Sequence, residues 1–104
     1  MPYINEDNRS KLDPCISNMI DCFKENISSD KLTSDEFLSI LGDINYVFSR
    51  VISNLMGDVS YGKIAMATGV LENIKQELYR RLASDYEDQK IISNGDIPEY
   101  KRRT

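Results

Sequence analysis

A chain of 104 residues with a net charge of −4 and 29% charged side chains fits one soluble domain. That balance excludes general nucleic-acid binding, which asks for a basic surface. No apolar run approaches the roughly 20 residues of a bilayer-spanning helix. The opening Met1-Pro2-Tyr3-Ile4-Asn5-Glu6-Asp7 has neither the basic nor the apolar part of a secretion signal, so a cytoplasmic setting is expected.

A domain of this size buries roughly two-thirds of the surface its unfolded chain exposes, which allows a modest core and no deep private cavity. Any ligand therefore belongs in a surface groove or between subunits. Residues 1–60 hold ten acids and five bases, and residues 61–104 hold seven acids and eight bases. An anion-binding surface is accordingly sought in the C-terminal half, around Arg80-Arg81 or the basic tail over 96–104.

The segment 1–12 starts extended. Asp13-Pro14 predicts a helix start, with Asp13 as N-cap and Pro14 at the first helical position, although a start over Asn8 to Leu12 is also compatible. Cys15, Ile16, Met19, Ile20, Cys22 and Phe23 then recur at helical spacing and carry this first helix to about Asn26. Cys15 and Cys22, seven apart on one helix, lie about 10 Å apart along its axis, too far for a disulfide. Buried free thiols are the economical expectation.

Residues 27–32 read as a loop, and Thr33-Ser34-Asp35-Glu36 as a capping box. A broad apolar stripe follows from Phe37 to Leu55. Gly42 interrupts it and predicts a break or kink, with Asp43 opening a second segment. Gly57 closes this helix.

Asp58 or Ser60 caps the next helix, whose register runs through Tyr61, Ile64, Ala65, Thr68, Leu71, Ile74, Leu78, Tyr79, Leu82 and Ala83, and Asn94-Gly95 ends it. A helix from about 60 to 93 would be roughly 50 Å long, so its end, with Ile91 and Ile92, is expected to project and to need cover from the tail or another subunit. The small face of Gly62, Ala65, Ala67 and Gly69 suits close helix packing, within the chain or across a symmetry axis. The fold class expected is all-α, with about three main helices and a long C-terminal one in a single domain over 1–104, assembled as a homo-oligomer.

Catalysis is poorly served. There is no histidine for general base work and no phosphate-cradling glycine loop. Neither a metal site nor a cofactor site assembles from the spacing: Glu72 and Glu77 are five apart and face differently. The residues best suited to chemistry are Tyr79, Arg80, Arg81, Tyr86 and Lys90 on the last helix and Tyr46 and Arg50 on the one before. Arginine presents a planar fork that matches phosphate, and tyrosine a ring on which a base stacks. Asn45 would add a hydrogen bond. The bland alternative makes Tyr79 a core residue, pairs the arginines with Glu77, Glu87 and Asp43, and places Asn45 and Glu72 in a polar network that sets helix register.

Several blocks carry a resemblance: Gly42-Asp43-Ile44-Asn45-Tyr46, Gly69-Val70-Leu71-Glu72, Tyr79-Arg80-Arg81, Tyr86-Glu87-Asp88-Gln89-Lys90 and Asn94-Gly95-Asp96, with Met1-Pro2-Tyr3-Ile4 and Lys11-Leu12-Asp13-Pro14 near the start. Together they resemble a family of small phage and prophage proteins that forms a domain of unknown function. The resemblance implies a viral origin and a bacterial host cytoplasm, and it transfers no catalytic residue. Residues 27–41 lie outside it. The function expected is non-enzymatic sequestration of a nucleotide-derived host immune signal. An adaptor or inhibitor of a host protein is the alternative, and a nucleotide-cleaving enzyme a distant third.

Overall fold

The computed structural model describes residues 4–27 and 30–101. Every regular element among them is helical. The chain divides into two units, Met1–Leu55 and Met56–Thr104.

The first unit opens with α1, Glu6–Phe23. Its start lies upstream of the expected Asp13 cap, because Asn5 caps instead: its side-chain oxygen accepts from the Asn8 amide at 2.9 Å. Glu6 and Asp7 add acidic charge to the first turn, where the helix dipole favours it. Pro14 therefore sits inside the helix and withholds one backbone donor. The helix ends at Phe23, short of the expected Asn26. Beyond it, the Lys24 ammonium donates to the Asp30 carbonyl at 2.9 Å.

The capping box forms as expected at α2, Ser34–Ser39. Glu36 N–H donates to Thr33 Oγ1 at 3.2 Å, and Thr33 N–H donates to Glu36 Oε1 at 2.8 Å. The break expected near Gly42 falls at Ile40, and α3 then runs from Leu41 to Met56.

In the second unit Gly57 takes a positive φ of 66°, the left-handed conformation that ends a helix without the strain a Cβ would bring. Ser60 caps α4, Tyr61–Leu78, by accepting from the Lys63 amide at 3.2 Å. The Lys63 ammonium folds back on the Met56 and Asp58 carbonyls, at 2.9 and 3.0 Å. A π turn, Tyr79–Ala83, joins α4 to α5, Ser84–Asn94, so the helical run from Tyr61 to Asn94 matches the long helix expected. The π turn itself has no signature in the apolar spacing. Gly95 caps α5, and a short α6, Pro98–Lys101, lies in the stretch read as tail.

The expected modest core is absent: among the described residues none is buried. The broadest contacts between elements are those the π turn makes with α4 and α5 along the same run. Cys15 and Cys22 are free, as expected, but exposed rather than buried, because nothing in their unit covers that face of α1. No described helix is long and apolar enough to cross a membrane.

Candidate functional site

The residues singled out in the sequence fall on two helical stations, one in each unit. On α3, Tyr46 and Arg50 are one turn apart, and the guanidinium carbon stands 5.8 Å from the Tyr46 ring centroid. Cations within about 6 Å of an aromatic ring are held by its quadrupole. The pair borders an open groove of about 370 Å³ lined by Tyr46, Val47, Arg50, Val51, Asn54 and Leu55. Asn45 accepts from the Ser49 hydroxyl at 3.3 Å, a bond within its own helix.

On α5, Tyr86 and Lys90 repeat the motif, with the ammonium 5.5 Å from the ring centroid. Arg80 and Arg81 lie in the π turn, and both turn to one carboxylate. Arg80 Nη2 donates to Glu77 Oε1 at 2.7 Å, and Arg81 Nη1 lies 3.6 Å from the same oxygen. The Arg80 hydrogen bond holds the Glu77 carboxyl below its ordinary range. An anion approaching these arginines therefore meets a carboxylate already in place.

Tyr79 is 56% exposed and so is not a core residue. Its hydroxyl donates to Glu87 Oε1 at 3.0 Å. That bond, reinforced by the carboxylate charge, raises the Tyr79 hydroxyl above its ordinary range. Glu87 is thus engaged by a tyrosine rather than by an arginine. Glu72 accepts from Gln76 at 3.2 Å and lies 3.8 Å from Lys75, all on α4.

The pairing of the arginines with Glu77, part of the bland alternative, forms as its three- and four-residue spacing allows. One feature escaped the sequence. The wall of Val47, Val51 and Leu55 beside Arg50 reads as core in the sequence, and only the exposure of Val51 and Leu55 identifies it as a groove. No cluster of carboxylate or thiol groups suited to a metal ion forms among the described residues.

Comparison with known proteins adds one finding. No curated protein and no solved structure shows significant similarity to the chain. Residues 1–97, nearly the whole chain, match a family described as Domain of unknown function (DUF6899), and the protein belongs to that family.

Proposed function

We propose that this protein is a non-enzymatic binding protein of phage type, active in the bacterial host cytoplasm as a homo-oligomer, that sequesters a nucleotide-derived host immune signal. The observation that carries the reading is the repeated aromatic–cation pair, Tyr46 with Arg50 and Tyr86 with Lys90. A base needs a ring face to stack on and a phosphate needs a nearby cation. In this reading Arg80, Arg81 and Lys90 hold phosphate, Tyr79 and Tyr86 stack, and Asn45, Tyr46 and Arg50 form the second station.

Calorimetric titration against cyclic and linear nucleotides tests it. The parent binds at least one nucleotide, and Arg80→Ala or Arg81→Ala weakens binding by roughly tenfold or more, as loss of a charged hydrogen bond does. Arg81→Lys keeps the charge but loses the fork, so it also weakens binding. A parent that binds no member of the panel, or alanine variants that lose only thermal stability, would sink the reading.

A second reading, an adaptor or inhibitor of a host protein, draws on Ile92, which is 85% exposed near the end of α5. Co-purification of one stoichiometric host protein that Ile92→Asp abolishes supports it.

A further inference from the structure

Both ion pairs that the described residues give Arg80 and Arg81 end on one oxygen. Arg80 Nη2 donates to Glu77 Oε1 at 2.7 Å, and Arg81 Nη1 stands 3.6 Å from that oxygen. Glu77 lies three residues before one arginine and four before the other, the two spacings at which helical side chains meet. The arginine side chains are 68% and 55% exposed, so a dissolved anion reaches both. The Glu87 carboxylate is held elsewhere, by the Tyr79 hydroxyl at 3.0 Å.

A carboxylate and a phosphate meet a guanidinium in the same way, through charge-assisted hydrogen bonds to their oxygens. Glu77 therefore stands where a phosphate would, and an anion that takes both arginines has to displace it. The Arg80 bond holds the Glu77 carboxyl below its ordinary range, so this competitor is charged at neutral pH. Displacement costs every anion the same, because the bonds broken are the protein's own. It sets a threshold that the anion's own charge has to clear. A phosphodiester brings a single negative charge, no more than the carboxylate it replaces. A terminal phosphate brings about −1.5 to −2 at pH 7 and three acceptor oxygens, enough to engage both arginines together.

We propose that Glu77 is a built-in competitor for the Arg80–Arg81 site and restricts it to nucleotides that carry a terminal phosphate, such as nucleoside diphosphates, against cyclic phosphodiesters. The proposal rests on the nucleotide-binding reading above, and it names the ligand class and the control of that same site. Glu77 touches no ligand: it occupies the arginines until a stronger anion takes them.

Calorimetric titration at neutral pH of the parent, Glu77→Gln and Glu72→Gln against ADP, GDP, cyclic AMP, cyclic GMP and inorganic pyrophosphate tests it. In the parent a nucleoside diphosphate binds more tightly than the cyclic nucleotide of the same base. Glu77→Gln tightens both by the same factor, roughly two- to fivefold, as release from a surface ion pair does. Glu72→Gln removes an equal charge about two turns from Arg80, where solvent screens it, and leaves the affinities unchanged. A gain is the diagnostic result, since a damaged fold loses affinity. Glu77→Gln that binds as the parent does, or more weakly, overturns the competition, and so does a gain shared by Glu72→Gln, which would trace to net charge alone. A parent that prefers the cyclic nucleotide overturns the ligand class. The two readings fail separately. Where a nucleotide binds the parent and Glu77→Gln brings no gain, the competition falls and sequestration stands. Where pyrophosphate binds as tightly as either diphosphate and shows the gain, the base contributes nothing, so the nucleotide reading falls while the competition stands. Where neither the parent nor Glu77→Gln binds any of the five, both fall.

Discussion

Gly95 ends α5 with φ 88° and ψ 169°, a backbone region open essentially to glycine. Gly95→Ala therefore destabilises the end of α5 by about 1–3 kcal/mol, visible as faster amide exchange around Ile91 to Asn94. Two titrating side chains make opposite predictions. Glu77 has a lowered pKa from its bond with Arg80, so its contribution is present above the ordinary carboxylate pKa and is lost as pH falls through its depressed value. Glu77→Gln removes that acid-side loss of helicity. Tyr79 has a raised pKa from its bond with Glu87, so its contribution is full below pH 10 and is lost as pH rises through its higher value. Ultraviolet titration of Tyr79→Phe against the parent isolates this step, and its absence from the difference curve contradicts the Tyr79–Glu87 bond. Tyr79 is exposed and Glu77 half-buried at the surface, so solvent screens these effects and the amplitudes are small.

At the scale of elements, α2 is too short to stand on propensity and depends on its reciprocal cap. Thr33→Ala costs about 1 kcal/mol there and selectively unprotects the amides of Glu36 and Phe37. The π turn makes a different prediction. Ser84 N–H bonds to the Tyr79 carbonyl, one residue further back than in an α-helix. In an unbroken α-helix residues eight apart differ by about 80° around the axis, whereas the extra residue brings Tyr79 and Glu87 to within about 20°. Deleting Ala83 removes the extra residue and keeps the two aligned, so helicity and the raised tyrosine titration both survive. Inserting one alanine at the same place turns Glu87 away and returns the tyrosine to its ordinary range. The same turn sets Tyr86 and Lys90 in line with Leu71, Ile74 and Leu78, which ties the Tyr86–Lys90 station to the apolar seam of α4.

For the whole molecule the governing fact is that no described residue is buried. Each unit lies near the size at which a single core becomes marginal, so in the homo-oligomer proposed above cover from association would add to stability. Tenfold dilution is therefore expected to lower the melting temperature by roughly 3–6 °C. Differential scanning fluorimetry over two decades of concentration checks this, and superimposable curves would count against assembly.

What the sequence by itself determined is local. The 3.6-residue apolar period, the Thr33-to-Glu36 box, Ser60, Gly57 and Asn94-Gly95 act within a few residues of themselves, so the helices and most of their ends were readable. Where two local signals compete, the reading failed: Asp13-Pro14 looks like a start, yet the Asn5 cap upstream already holds the chain in helix. The aromatic–cation pairs were legible because four-residue spacing alone brings Tyr46 to Arg50 and Tyr86 to Lys90. Only the three-dimensional structure decided the rest. An apolar stripe says that a face wants cover but not whether its own chain supplies it, so exposure of Cys15, Cys22, Tyr79 and the α3 row could not be read from spacing. The π turn was equally hidden, because one extra residue within a turn changes which side chains share a face while leaving composition and propensity unchanged.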